Sequence, residues 1–494
     1  MKIVLEEIAM ATDKEVLIKE FLKALHEDNA AIFAGAGLSA ASGFVNWKGL
    51  LKEAADELEL DIEKETDLIS LAQYFFNKNG RQRLSQLVID NFSAEAQLNE
   101  NHRILAQLPI DTYWTTNYDR LIEKSLTDVG KNPDVKIKQS DFALLKPKRD
   151  AIVYKMHGDI ERASETVLIK DEYEMFHENN QLFSIGLKGD LISKTFLFIG
   201  YSFEDPDLEY ILSRIRVLMG QDGRNHYCFF RKVNRNQYNH LPKEEGDEKF
   251  RYDSIKQELK CADLERYHIK PVLVDKYEDI TEILQTILQR YCRSKILISG
   301  SAVEYKQFVP DHNTAQMFIH TLSREMVKAG FKIASGFGLG VGSAVINGSL
   351  DYVYSTNKRK ISDYLILRPF PQYATNGLEL MDLWDQYRRD FISDVGCAVF
   401  IFGNKEVNGK VVDAGGVRKE FDIAVAQGIK VIPVGATGYM SKTLWEETIT
   451  NYDKYYSDFP ALKADFEFIG DASHNHHEII TRIIKIITAL RAGR

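Results

Sequence analysis

The sequence predicts an α/β protein built from two parallel-sheet domains, and three observations carry that prediction. Short apolar runs rich in Ile, Val, Phe and Tyr alternate with segments of helical periodicity along the whole chain. Most of these runs end in a glycine or a polar cluster, the place where open α/β sheets present their ligands. The pattern restarts after a helix near residue 290, so domains are expected at 1–290 and 291–494; a chain of 494 residues also exceeds what one core usually supports.

In the first half the expected strands are "AAIFAG" from Ala30, "TYWTTN" ending at Asn117, "AIVYKMHG" ending at Gly158, "TFLFIGYS" from Thr195, "HYCFF" from His226 and "KPVLV" from Lys270. Their carboxyl ends, at 35–43, 115–119, 157–159 and 200–205, are expected to converge on one crevice. Asp205 is read as a helix cap with Pro206 in the first turn. Asp279 is read as the N-cap of the closing helix, whose Ile280, Ile283, Leu284, Ile287 and Leu288 share a face. The second half starts with "KILISGSA" from Lys295 and a helix through Ala315, Phe318, Ile319, Leu322 and Met326 that Gly330 ends. "FKIASGFGLGVGS", "DYLILRPF" and "GCAVFIFG" follow, then "KVIPVGATG" after a helix through "VRKEFDIAVAQG".

Composition narrows the function. A net charge of -9 with 27% charged residues leaves no global basic field for nucleic acid. The four cysteines, Cys228, Cys261, Cys292 and Cys397, form no C-x-x-C pair, which argues against a zinc cluster of the usual spacing and suits a reducing cytoplasm. The apolar runs are too short for a membrane span or signal peptide. His474, His476 and His477 lack the i, i+4 spacing of helical metal ligands; the segment reads as the start of a tail helix through Ile479, Ile480, Ile483 and Ile487, and no metal is expected. Tyr113 and Trp114 read as core, with a wall of a ligand pocket beside Asn117 as the other possibility.

Residues 34–43, "AGAGLSAASG", follow an apolar strand directly. A glycine turn there lets backbone approach a phosphate. Gly35, Gly37 and Ala40 fit G-x-G-x-x-G/A, yet the acidic residue expected about 20 positions on is missing. Glu53 and Asp56 fall nearest that spacing, inside the helix-periodic "LLKEAADELEL". A conventional dehydrogenase domain is therefore disfavoured.

Three further stretches follow in order: "TTNYD" with Thr116, Asn117 and Asp119; "MHGD" with His157 and Asp159; and "IGYSFEDPD" with Gly200, Tyr201 and Ser202. Together with "GAGLS" they resemble the sirtuin-like NAD-consuming domain over residues 20 to 285. The resemblance implies a Rossmann-like fold that binds NAD as substrate. Ala34, Gly35, Ala36 and Gly37 would cradle the pyrophosphate, and Ser39 or Ser202 would hydrogen-bond it. Thr116, Gly200 and Tyr201 belong to the same expected pocket. Asn117 and His157 match the family's catalytic pair. Cleaving the nicotinamide–ribose bond passes through an oxocarbenium-like centre, which needs placed polar groups. Asn117 can hold water or ribose hydroxyls without adding charge, and His157 can take a proton near neutral pH. Asp119 either orients the carboxamide or caps the next helix. The "GIPDFR" and paired cysteines of deacylating sirtuins are absent, so water is the expected acceptor.

In the second half "LISGSA", "SGFGLGVGS" and "AGGVRKEF" resemble the SLOG group of Rossmann-like ligand sensors, related to phosphoribohydrolases with P-G-G-x-G-T-x-x-E. Here Gly415, Gly416 and Glu420 are kept while the proline and G-T are not, so binding rather than hydrolysis is expected. The resemblance places a nucleotide signal against Gly300, Ser301, Gly336, Phe337, Gly338, Leu339, Gly340, Arg388, Lys405, Gly416 and Glu420. Arg388, Lys405 and Glu420 each follow or flank an expected strand end; two cations would suit a pyrophosphate and a carboxylate would grip ribose hydroxyls.

A sirtuin-like domain followed by a SLOG domain is similar, over essentially the whole chain, to the effector NADases of Thoeris antiphage defence. That resemblance implies a cytoplasmic homotetramer joined through its sirtuin-like domains. It also implies activation by a cyclic ADP-ribose isomer made by a TIR-domain partner. Two other readings remain open: a zinc-free NAD-dependent deacylase, and a nucleotide sensor that acts by assembly without turnover.

Overall fold

The computed structural model describes residues 12–92, 96–220, 222–356, 360–374, 377 and 379–493, and the chain divides into two compact units between Leu288 and Gln289. The first unit carries a seven-stranded, wholly parallel sheet. Its strands are β1 (Ala30–Ala34), β2 (Thr112–Thr115), β3 (Pro133–Lys136), β4 (Ala151–Lys155), β5 (Thr195–Ile199), β6 (His226–Arg231) and β7 (Ile269–Val274), in the order β3-β4-β2-β1-β5-β6-β7. All six strands expected here are present. β3 was not foreseen: "PDVK" is a four-residue edge strand whose Pro and Lys give no strand signal.

Strand burial explains why the apolar runs were continuous rather than alternating. All five residues of β1 and of β5 are buried, as parallel strands covered on both faces require. Phe33 stacks on Phe198 with ring centroids 5.2 Å apart, and Trp114 lies on Tyr154 at 4.1 Å while its indole N–H donates to Asp190 Oδ2 at 2.8 Å. Tyr113 and Trp114 are thus core residues. The chain leaves β1 toward β2 on one side and returns to β5 on the other, so the carboxyl ends of β1, β2, β4 and β5 stand side by side.

The second unit has a five-stranded parallel sheet of β8 (Lys295–Ser301), β9 (Lys332–Ser335), β10 (Leu365–Leu367), β11 (Cys397–Phe402) and β14 (Lys430–Pro433), in the order β10-β9-β8-β11-β14. An antiparallel hairpin, β12 (Asn404–Val407) with β13 (Lys410–Asp413), was not expected from its mostly exposed residues. The helix His312–Lys328 ends as expected just before Gly330, and buries Ala315, Phe318, Ile319, Leu322 and Met326. The helix Glu278–Cys292 buries the five expected residues, but Asp279 is not its N-cap. It lies in the first turn, where Oδ2 accepts from the backbone N–H of Asp275 (3.0 Å) and Lys276 (3.1 Å). The histidine segment forms the start of the helix His476–Ala492, with His476 stacked on Phe308 at 4.4 Å. No helix among the described residues is long and apolar enough to cross a membrane.

Candidate functional site

The glycines of the opening loop have a packing role that the sequence did not disclose. Gly35 donates its N–H to Ile199 O at 3.0 Å and Gly37 donates to Gly200 O at 2.8 Å, so both amides are used within the protein rather than left for a pyrophosphate. A Cβ on Gly35 would fall 2.5 Å from Gly200 O, and one on Gly37 2.8 Å from Gly200 Cα. Gly200 has φ of +65°, and a Cβ there would lie 2.1 Å from Leu38 N. The loops after β1 and β5 therefore interlock backbone against backbone.

Asn117 is seated by the same loop. Its side-chain amide donates to Gly35 O at 3.0 Å and to Ser39 Oγ at 3.2 Å, while its N–H donates to Thr115 Oγ1 at 3.0 Å. Thr115, rather than Thr116, is the structural threonine, since its hydroxyl also donates to Ala34 O. With both amide hydrogens engaged, Oδ1 is the atom Asn117 can offer to a hydroxyl or water. Asp119 caps the following helix: Oδ1 accepts from Leu121 N at 3.0 Å. Ser39 is buried and Ser202 is exposed. Tyr201 packs its ring edge-on to Phe33.

His157 follows β4 as Asn117 follows β2. Thr115 pairs with Lys155 across the two strands, which places the two candidate residues at equivalent positions on neighbouring strand ends. The imidazole stands edge-on to Tyr173 and Phe176, and its Nε2 lies 3.1 Å from Asp207 Oδ2 and 3.6 Å from Asp205 Oδ2. In the sequence Asp205 shows only a capping role and Asp207 none. Asp205 does cap the helix Pro206–Met219, accepting from Asp207 N and Leu208 N, and that turn is what delivers Asp207 to the ring. Burial alone lowers the imidazole pKa, but the two carboxylates outweigh it and hold His157 above its ordinary value. Burial pushes Asp207 up to about 6, against the pull of its bond to His157.

His157, Asp205 and Asp207 also bring donor atoms within 4.8 Å of one another, a set that could hold a metal ion. The ring–carboxylate hydrogen bond already accounts for their closeness. Asn117 is 8% and His157 2% exposed. A cavity of about 290 Å³ is lined by Asp67, Ser70, Lys170, Tyr173 and Pro206 among others, and Tyr173 also stands edge-on to His157. The expected loops do converge, but neither Asn117 nor His157 lines that cavity.

In the second unit the loop after β9 lies on the end of β8: a Cβ on Gly338 would be 2.0 Å from Gly300 O. Phe337 and Leu339 project from it, 49% and 70% exposed. Ser301 Oγ donates to Asn404 O, and the buried Asn404 side chain accepts from Val303 N at 2.8 Å, fixing the hairpin to β8. Arg388 and Glu420 come together, though on helices rather than at strand ends. Arg388 sits on the helix Leu380–Ser393 and Glu420 on Gly415–Ala426, with Nε 3.5 Å from Oε1. The guanidinium lies over Phe370 at 4.9 Å and Trp384 at 5.9 Å, also meets Asp385, and faces Gly416. Glu420 accepts from Ser299 Oγ at 2.6 Å and is pushed up by burial. Lys405 is exposed on β12, and among the described residues no hydrogen bond or ion pair joins it to Arg388 or Glu420. Phe370, Trp384 and Asp385 were missed; the aromatic cluster "RPF" and "DLWDQYRRD" was the available signal.

Residues 279–490 match the Sir2- and TIR-associating SLOG family, and residues 111–252 match the SIR2-like domain. The chain is 48% identical over 479 residues to the NAD(+) hydrolase ThsA of Bacillus cereus (strain MSX-D12), covering 96% of this chain and 98% of that one. It is 43% identical to NAD(+) hydrolase ThsA of Acinetobacter baumannii (strain 532279), over 96% of this chain and 98% of the relative. It is 42% identical to NAD(+) hydrolase ThsA of Enterococcus faecium, over 97% and 99% respectively. With near-complete coverage on both sides, and a sirtuin-like unit followed by a SLOG unit, the chain belongs to the ThsA family of NAD(+) hydrolases.

Proposed function

We propose that the chain cleaves NAD+ to nicotinamide and ADP-ribose in its first unit, under control of a nucleotide signal bound by its second. Full-length kinship to NAD(+) hydrolases carries this reading, and the adjacency of the Asn117 and His157 loops supports it. The bond between C1′ of the ribose and the pyridinium nitrogen breaks, and nicotinamide leaves neutral with the bonding electron pair. Water adds to the oxocarbenium-like carbon and His157 takes its proton. Asn117 Oδ1 holds the attacking water or the ribose hydroxyls beside that centre.

The signal is a cyclic ADP-ribose isomer made by a TIR-domain partner, a pairing that fits the Sir2- and TIR-associating description of the matched family. Arg388 would face its pyrophosphate while Phe370 and Trp384 offer flat surfaces, and Glu420 would take ribose hydroxyls. His157 is closed in by Tyr173 and the Asp205–Asp207 turn, so substrate access requires that turn to move. Shifting such a closed state from 1:99 to 99:1 needs about 5.5 kcal/mol of differential signal binding. A homotetramer in the cytoplasm, depleting NAD+ in infected cells, completes the proposal.

Purified full-length protein, NAD+ and a panel of cyclic ADP-ribose isomers provide the test. Nicotinamide and ADP-ribose should appear in equal amounts with one isomer, and Asn117→Ala and His157→Ala should abolish both. Nicotinamide release that requires an acylated peptide would instead support a deacylase, and signal binding with no turnover would support a sensor.

A further inference from the structure

Lys155 is the last residue of β4 and is completely buried. Its ammonium donates to Tyr118 O at 3.1 Å, to Asp119 O, and to Asp159 Oδ2 at 2.6 Å, with Glu123 Oε1 3.4 Å away. Tyr118 and Asp119 directly follow Asn117, and Asp159 lies two residues after His157. The two loops are also zipped by Ile160 N donating to Tyr118 O at 3.0 Å, and Asp159 Oδ1 is held by Glu161 N at 2.9 Å.

Such a group is poorly explained as a stabiliser. Burying an ammonium and two carboxylates carries a desolvation penalty of several kcal/mol per ion, and packed apolar residues often serve stability as well or better. What an apolar side chain cannot do is direct hydrogen bonds at oxygens on two separate loops at once. We propose that Lys155 is a positioning residue for NAD+ cleavage: its ammonium clamps the Asn117 loop to the His157 loop and so sets the separation of the two working groups. Hydrolysis is sensitive to that separation, since misplacement by about 1 Å can lower a rate by about 10²-fold. The clamp rests on the assignment of Asn117 and His157 made above.

Glu123 makes the test discriminating, because it touches the same ammonium from the helix Leu121–Asp128 and belongs to neither loop. Full-length Lys155→Met, Asp159→Asn and Glu123→Gln are assayed for NAD+ hydrolysis with the cyclic ADP-ribose isomer that gives the wild type its highest turnover. Lys155→Met and Asp159→Asn should lower kcat by about tenfold or more while KM for NAD+ stays within about threefold. Glu123→Gln should keep kcat within about twofold, and thermal melting should show Asp159→Asn and Glu123→Gln equally folded. If Lys155→Met does not fold, the contrast between the other two still decides. Asp159→Asn retaining kcat within about twofold, or Asp159→Asn and Glu123→Gln losing it by the same factor, overturns the clamp. If Asn117→Ala and His157→Ala keep wild-type turnover, the assignment beneath it fails and takes the clamp with it; if those two are inactive while Asp159→Asn is not, the clamp alone fails.

Discussion

His157 Nε2 and Asp207 Oδ2 lie 3.1 Å apart across fifty residues of chain, with their side chains 3% and 2% exposed. The contact joins the end of β4 to the first turn of the helix Pro206–Met219. It makes the protonation of the imidazole depend on a residue from a different loop.

Asp207→Asn removes one of the two carboxylates that raise the pKa of His157. If the neutral imidazole is the proton acceptor, activity in the wild type falls on the acid side as the ring protonates. Losing a raising charge must therefore move that limb to lower pH, by about one unit. The pH profile of kcat/KM measures it; an unmoved limb would mean another group titrates.

Asn117→Asp is nearly isosteric yet should be as inactive as Asn117→Ala, falling by about 10²-fold. The carboxylate cannot donate to Gly35 O or Ser39 Oγ and would instead face a carbonyl oxygen. Turnover at saturating NAD+, alongside a thermal melt, reads the result. Wild-type turnover in this variant would show that the amide hydrogens are dispensable.

Gly200→Ala should destabilise the first unit by about 2–3 kcal/mol, because the new methyl meets Leu38 N at 2.1 Å in a left-handed conformation. Chemical unfolding monitored by tryptophan fluorescence measures the loss. An effect below about 0.5 kcal/mol would show that the loops separate readily.

His226 should make the protein acid-labile. It is 3% exposed, its Nδ1 accepts from Phe196 N, and burial lowers its pKa from 6.5 to about 3. The unfolded chain takes up this proton below pH 6.5 while the folded one does not, so its contribution is complete above 6.5 and is lost as pH falls toward 3. Between pH 7 and 5 the wild type should lose about 2 kcal/mol more than His226→Gln. Unfolding curves at the two pH values test this, and parallel losses would contradict it.

Arg388→Lys should behave like Arg388→Ala, raising the activator concentration for half-maximal turnover by about tenfold or more and leaving the maximum unchanged. Lysine keeps the charge but loses the planar face over Phe370 and the reach to both Asp385 and Glu420. Isothermal titration with the activating isomer measures it directly; near-wild-type affinity for the lysine variant would assign the role to charge alone.

The two sheets were legible because parallel strands buried on both faces, such as β5 and β11, write themselves as unbroken apolar runs. β3 and the β12–β13 hairpin were not, being short, edge-lying or exposed, with charges where a strand signal would stand. At the candidate site, the loop order put Asn117 and His157 forward as candidates and the structure sets them on neighbouring strand ends, while the glycines marked a close approach without saying that its partner was Gly200. Asp207 was hidden because local spacing explains it fully as part of a helix start, while its ring partner lies far away in sequence. The one outward sign of Lys155 was a lysine at the end of an otherwise apolar run, "AIVYK".

The interlock between Gly37 and Gly200 has a genetic consequence. A steric conflict between two side chains can be relieved by trimming the opposing one, but here the opposing atoms are main chain, which no codon change can shorten. Revertant screens starting from a substituted Gly37 or Gly200 should recover true reversions and few or no second-site suppressors in the facing loop.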